Sequence, residues 1–470
     1  MACSGPCTAA ARPGAVTNTI PWVSNAGPFG PDPSGDDNPF EAMSFFLQDL
    51  SRMFSGQSGG SWDTAAQLAG SIANEGRSES NVDPLARGEV EQLARVAELQ
   101  VAEVTGRRVD DAVRLEPLNR TQWAKRFLDD ERPLLEDLSG SIGAALQAQL
   151  GEIETDGEGM PDLGLPQVPG MPPDALIAQL MSMMGPMLLG MMAGSTAGHL
   201  ASRALGHYEL PLPRPQAGPL TLVLSNVDEF ADDWSLPRDG IRLWVCISDV
   251  VHHQILTTPH VRSHVDTLLR EYVSAFSQDP DEIERRMRDL GVDDMIGGSE
   301  PELEALQRLA GDPEVLLGAM QSDEQRRLMP RIDAVVSAIE GYVDWVLDTI
   351  GARLIPDYDR VSEALRRRRV EAAPASRFVE RLFGLELSQA TFDRGADFVS
   401  GIVERAGTDA LDQLWSDPEH LPTQAELDAP GLWLARVGIE SVEIPLDEDD
   451  LFEIPDFIDL DDPDGGDAPG

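Results

Sequence analysis

Apolar residues recur every three to four positions along most of the chain, the period of an amphipathic helix. Within residues 88–105, for example, Val90, Leu93, Ala97 and Val101 share one face, with charged residues on the other. A five-residue apolar run at 220–224 instead indicates a buried strand. The chain should therefore be mainly α with a small β component of one or two strands. The other predicted helices cover 45–54, 62–73, 120–150, 175–202, 228–234, 242–255, 261–276, 302–309, 324–350, 358–368, 377–386 and 392–415.

Changes in composition divide the chain into five parts. Low hydrophobicity predicts disorder in the first and last of them. A helical N-terminal part and the main helical core flank an acidic linker rich in Gly and Pro. The parts are a disordered N-terminus (1–38), the helical N-terminal part (39–150), the linker (151–173), the core (174–438) and an acidic disordered tail (439–470).

The tail carries thirteen Asp or Glu residues and no Lys or Arg between Glu440 and Gly470, interleaved with apolar residues such as Phe452 and Phe457. Charge repulsion exceeds what so few apolar groups can bury, so this segment cannot fold alone. Two interpretations stay open: a solvating tail, or a short motif that docks its apolar side chains on a protein partner.

Residues 175–202 contain no charged side chain and are rich in Met and Gly. Their length is that of a membrane span. Gln179, Pro186 and His199 interrupt the run, and no aromatic or basic anchors flank it. A glycine-faced helix buried in a protein core is therefore favoured, with a membrane anchor as the alternative.

The net charge of −46 excludes the usual surface for nucleic acid or anionic lipid, since both repel an acidic protein. Three cysteines, Cys3, Cys7 and Cys246, form no disulfide framework, and the first residues lack the pattern of a signal peptide. A cytoplasmic location is the simplest expectation.

The stretch Ser248-Asp249-Val250-Val251-His252 falls within the predicted helix 242–255. Its single histidine has the position of the second histidine in H-E-x-x-H, where two histidines bind zinc and the glutamate acts as general base. Ser248 replaces the first histidine, and Asp249 replaces the base. A zinc site needs at least three good protein ligands, so loss of the first histidine makes peptidase activity doubtful.

The order and spacing of several segments resemble the actinobacterial zincin-like metallopeptidase family, from about Asn38 to Leu432. The resemblance implies a zincin-like core and a zinc ion held by two histidines and a glutamate from a later E-G-H-x-x-x-x-D motif. By position it makes His252 and Glu340 the surviving ligands, and Tyr342 replaces the later histidine. The matching segments are 184–205, 209–213, 244–256, 339–344, 366–369, 383–387 and 421–423.

Two functions from different classes follow. The first is a zincin-like protein without catalysis or cofactor that binds protein partners through its grooves and acidic tail. The alternative is a metal-dependent hydrolase with a rebuilt site, in which Asp249 is the base and His252, Glu340 and a neighbour hold zinc or another divalent metal. Asp344, one turn after Glu340, would complete a mixed cluster suited to Mn or Fe.

Two further groups carry weaker signals. His260 and His264 have the i,i+4 spacing of a ligand pair, although a pair of exposed histidines is the simpler interpretation. The run Arg366–Arg369 is expected to be a solvated helix face, which could also bind the acidic tail.

Overall fold

The computed structural model of the chain describes residues 61–108, 114–141, 190–215, 218–276, 321–370 and 374–440. All of them belong to one unit, Gly59–Gly470. The predicted N-terminal disorder, the linker 151–173, the helices 45–54 and 302–309 and nearly all of the acidic tail lie outside the described residues.

Helices dominate the described part of the chain, which confirms the mainly α prediction. Two 3-10 helices, Thr408–Trp415 and Pro418–His420, add to them. The α-helices are α1 (Ser61–Ala73), α2 (Pro84–Thr105), α3 (Arg120–Asp130), α4 (132–141), α5 (190–201), α6 (Leu224–Asp233), α7 (Arg238–Leu256), α8 (Pro259–Ser274), α9 (Asp323–Leu354), α10 (Tyr358–Val370), α11 (Pro374–Leu382), α12 (Gln389–Ala406), α13 (Gln424–Asp428) and α14 (Pro430–Val437).

The β component is a two-stranded parallel sheet of β1 (Leu115–Leu118) and β2 (Leu220–Val223). The strand predicted at 220–224 is thus confirmed, and all four residues of β2 are buried. Its partner β1 was not predicted, because Leu-Glu-Pro-Leu has neither an apolar run nor β-branched residues.

Helix ends follow local chemistry. At the start of α2 the Asp83 carboxylate accepts the Leu85 N–H (2.9 Å), and Gly106 ends the helix in the left-handed region at φ 65°. Gly407 likewise follows α12 with φ 79°. The helix predicted over 392–415 was therefore wrong beyond Ala406, where the chain continues as a 3-10 helix.

The long helix α9 lies at the centre and packs against α2, α7, α8 and α12. It crosses α12 where Gly341 faces Gly395, and a side chain at Gly395 would overlap the Ser337 carbonyl. Glu340, which enters the site, is the neighbour of Gly341 on α9, so this close approach of the two helices helps to fix its position.

The described part of the uncharged run, 190–202, packs against α1. A Cβ on Gly194 would lie 2.7 Å from the Ala65 carbonyl, and one on Gly198 would lie 2.7 Å from the Ile72 Cβ. The glycine-faced helix is confirmed for these residues, while 175–189 lie outside the described part. Within the described ranges, no helix has both the length and the apolar content needed to cross a membrane.

Candidate functional site

A cleft of about 80 Å³ opens where α7 and α9 meet. One turn separates Ser248 from His252 on α7, so both face α9, and Glu340 on α9 completes the floor with Asp249. The segment 202–215 and residues of α10, α11 and α12 form the walls. Four of the predicted site residues therefore line one cleft.

His252 and Glu340 contact each other directly. The imidazole Nε2 lies 3.2 Å from Glu340 Oε1, and Nδ1 lies 2.9 Å from the Ser248 carbonyl oxygen. Both side chains are buried. Because both ring nitrogens face acceptors, the arrangement suits an imidazolium that donates one hydrogen bond to each.

Each member of this pair stabilises the charged form of the other. Burial disfavours the charged imidazole, but the Glu340 carboxylate and the Ser248 carbonyl outweigh it and raise the pKa of His252. Burial also disfavours the charged Glu340, yet His252 and, more weakly, Arg369 lower the pKa of this carboxyl. The result is a buried ion pair that joins α7 to α9.

Asp249, at the general-base position, accepts hydrogen bonds from the backbone of segment 202–215. Its Oδ2 accepts the His207 N–H (2.8 Å) and its Oδ1 accepts the Tyr208 N–H (3.0 Å). Burial raises its pKa to about 6, although these two bonds favour the carboxylate. A Cβ at Gly206 would overlap this carboxylate, so the tight approach needs glycine there. Asp249 thus anchors a loop.

Tyr208 is a site residue that sequence reasoning missed. Its ring stacks on His252 with centroids 5.6 Å apart, and its hydroxyl lies 3.0 Å from His253 Nδ1. Burial raises its pKa above the ordinary value, so the hydroxyl stays protonated. No motif marked this tyrosine, and only the position of 209–213 in the family resemblance pointed to this segment.

Ser248, His252 and Glu340 also have the composition of a serine-hydrolase triad, but the geometry is wrong for one. Ser248 Oγ lies 3.5 Å from His252 Nδ1, while the Ser248 carbonyl is closer to that nitrogen. A proton on Nδ1 that is shared with the carbonyl leaves no lone pair to accept the serine proton.

Tyr342 and Asp344 lie away from the floor of the cleft. Tyr342 is 200° around α9 from Glu340 and packs against Trp415, with ring centroids 5.5 Å apart. Asp344 accepts two hydrogen bonds from Arg369 Nη1, at 2.8 and 2.9 Å. The structure therefore brings neither residue to the His252–Glu340 pair as a ligand.

The arginine run of α10 is half solvated, and the prediction of a solvated face was wrong for its second half. Arg366 and Arg367 have side chains 54% and 58% exposed, whereas Arg368 and Arg369 are only 17% and 15% exposed. Four consecutive residues span about 300° of a helix, so some must face inward. The ring faces of Trp244 and Phe392 pack against the Arg369 guanidinium.

The donor set does not fit the zinc ion that the family implies. His252 and Glu340 supply two ligands, Ser248 offers only a hydroxyl, and the Asp249 carboxylate is held by two N–H groups. Within the ranges that the structure describes, no group of three His, Cys, Asp or Glu residues could hold a metal, and this includes His260 and His264.

The profile of the zincin-like metallopeptidase family matches residues 61–434. The chain therefore belongs to this family. The match spans the described fold from α1 into α14, so the family assignment applies to the whole helical core and its cleft.

A solved structure supports the fold. The chain resembles the crystal structure of a candidate hydrolase with a novel fold from Chloroflexus aurantiacus, with a TM-score of 0.52 and 22% identity. The similarity covers 80% of this chain and 98% of the other. None of the curated proteins is significantly similar to this chain.

Proposed function

We propose that this protein is a zincin-like family member that has lost zinc-peptidase activity and acts by binding. One observation carries the proposal: Ser248 offers only a hydroxyl at the third ligand position, so His252 Nε2 and Glu340 Oε1, 3.2 Å apart, are the two good ligand atoms that remain. A metallopeptidase would use both atoms, together with a third ligand, to hold its metal. Two good ligand atoms are too few for a zinc site.

The replacement of the general base supports the same proposal. A peptidase of this type needs a carboxylate that is free to accept a proton from water. The Asp249 carboxylate instead holds the backbone of His207 and Tyr208, and each of its oxygens accepts one of these N–H groups. A rebuilt hydrolase that uses Asp249 as base would have to share this carboxylate with the loop anchor.

We further propose protein segments as the partners, bound in the cytoplasm through the cleft and the acidic tail. The cleft is lined by both charges and by the rings of Trp244 and Phe392, a combination common in recognition sites. The tail, which begins at residue 439, adds apolar side chains between carboxylates.

Metal content and peptide cleavage together test the proposal. Untagged full-length protein, equilibrated with zinc and desalted, should contain far less than one equivalent of metal by mass spectrometry. It should also leave a fluorogenic peptide library uncleaved. Near-stoichiometric metal that is lost in His252→Ala and Glu340→Ala would overturn the proposal.

His260→Ala serves as the matched control, because His260 is a partly exposed histidine on α8 outside the cleft. Metal retained by His252→Ala and lost in His260→Ala would be adventitious surface binding. Cleavage abolished by His252→Ala and retained by His260→Ala would show a working peptidase site and contradict the proposal.

A further inference from the structure

One end of the cleft contains two guanidinium groups around one carboxylate. Glu209 Oε1 lies 3.2 Å from Arg203 Nε and 3.1 Å from Arg368 Nη2. The other oxygen, Oε2, accepts the Leu205 N–H at 3.1 Å. Glu209 thus contacts both arginines, and each guanidinium has N–H groups beyond those that this carboxylate uses.

The next carboxyl group, Glu380, is only partly charged near neutral pH. Burial, together with the charge of Glu209, raises the pKa of Glu380 to about 7, although Arg203 favours its charged form. Arg369 contributes little free charge, because Asp344 holds its guanidinium through two hydrogen bonds. Asp249, a further carboxylate of the cleft, is held by the His207 and Tyr208 N–H groups. Arg203 and Arg368 are therefore the guanidinium groups that can meet an anion at this end of the cleft.

Arg203 also has an unused donor. Its Nη1 is buried and has no hydrogen-bond partner among the described residues. An unmet buried donor is costly, and in folded proteins it is usually met by water or a ligand. The side chain as a whole is 21% exposed and lines the cleft, so rotation of the guanidinium presents this nitrogen to an entering group.

The size of the cleft limits what can enter. About 80 Å³ is several times the roughly 10–15 Å³ that one water needs, so the cleft admits a small group of atoms. Leu200, Leu387 and Trp244 give the cleft apolar surface beside the arginines. A small anionic group with an apolar stem matches both the volume and the lining.

We propose that the cleft binds a carboxylate, held by Arg203 and Arg368, with its apolar stem against Trp244 and Leu387. Planar guanidinium groups match carboxylate geometry. The carboxylate comes either from a small free acid or from the C-terminus of a peptide. This inference rests on the proposed function, in that it treats the former catalytic cleft as a binding site.

Saturation-transfer NMR on the full-length protein tests the inference with three probes: butyrate, N-acetyl-alanyl-leucine and the amide of the same dipeptide. The acids should bind with a Kd in about the millimolar range, as expected for so few atoms. The amide should bind at least about tenfold more weakly, because a charge-assisted hydrogen bond is lost. Equal binding of the dipeptide acid and amide, or no binding by either acid, would overturn the inference.

The two sources of carboxylate give different results. Comparable binding of butyrate and the dipeptide acid identifies a small-acid site. Much tighter binding of the dipeptide acid identifies recognition of a peptide C-terminus. Both results support a carboxylate site.

Variants locate the binding. Arg203→Gln should weaken the acids at least about tenfold, while Arg203→Lys keeps the charge and should retain part of the affinity. Arg367→Gln removes the same charge from an exposed position on α10 and should bind like the unaltered protein. An Arg203→Gln protein that melts like the parent and binds the acids equally well would refute the site.

The metal content of the same samples separates this inference from the proposed function. Metal-poor protein that binds no carboxylate refutes only the inference. Protein with near-stoichiometric metal refutes the proposed function, whatever the carboxylate result.

Discussion

The contact between His252 and Glu340 connects two helices at the floor of the cleft. Their side chains come from helices separated by 66 residues of chain, and they meet where both are buried. Removing one partner of a buried ion pair leaves an uncompensated charge in the core. The pair therefore acts as a connection between α7 and α9.

Replacing one partner should destabilise the fold strongly. We expect Glu340→Gln to lower the free energy of unfolding by about 3 kcal/mol, because it leaves a buried imidazole without its carboxylate. Urea unfolding at neutral pH measures the change. His252→Leu combined with Glu340→Leu should cost less than the sum of the two single leucine changes, and strict additivity would show that the residues are not coupled.

Restoring the missing ligand should restore metal binding. In Ser248→His the two imidazoles at 248 and 252 would be one turn apart and could share one ion with Glu340. We expect this variant to retain zinc near one equivalent after desalting, with Ser248→Ala as the control that gains none. Zinc retention by neither variant would mean that more than the third ligand is missing.

Individual site residues could be predicted from sequence only where a local motif marks them. Ser248, Asp249 and His252 follow from their spacing on one helix, and Glu340 follows from the family resemblance. Tyr208 and Arg203 could not be predicted, because no local motif marks either residue. Tyr208 reaches the site through its backbone N–H bond to Asp249, 41 residues later, and Arg203 through its ion pair with Glu209.

At the scale of elements, helical periodicity predicted the central helices well, since α7 and α9 bury most of their length. The helix predicted over 120–150 is interrupted at Glu131, whose buried carboxyl lies 3.4 Å from Arg214. Helical periodicity alone does not reveal such a break, because the apolar positions continue with the same spacing from α3 into α4. The sheet partner β1 was missed because its four residues hold Glu and Pro.

Glu380 on α11 gives the fold a pH dependence. Its folded pKa of about 7 is above the ordinary 4.5, so the folded protein binds this proton more tightly than the unfolded chain. The stabilising contribution is present below pH 4.5 and is lost as the pH rises through about 7. Groups facing this carboxyl are Arg203, Glu209, Arg377 and the Leu387 N–H.

Glu380→Gln should therefore reduce the loss of stability between acidic and alkaline pH by roughly 2–3 kcal/mol. Urea unfolding at a pH below 5 and at a pH above 8 measures this difference in the free energy of unfolding. Glu363→Gln, a change at an exposed carboxylate on α10, is the control. The same pH dependence in Glu380→Gln and the unaltered protein would place the titrating group elsewhere.

At the scale of the whole molecule, a net charge of −46 with a single lysine, Lys125, dominates the electrostatics. Like charges repel each other within a compact fold, and dissolved salt screens this repulsion. The many exposed arginine–carboxylate pairs contribute little by comparison, because each is solvated.

Salt should consequently stabilise the protein. Raising the salt concentration from about 0.01 M to about 1 M shortens the screening length from about 30 Å to about 3 Å. We expect the melting temperature to rise over this range, as followed by circular dichroism in sodium chloride. A falling melting temperature would mean that attractive ion pairs outweigh the net repulsion.

The most direct test of the account is anomalous diffraction at the zinc absorption edge, from crystals grown with zinc. The account predicts no anomalous peak between His252 Nε2 and Glu340 Oε1, which lie 3.2 Å apart. A strong peak within about 2.0–2.2 Å of both atoms would show a working metal site and contradict the account.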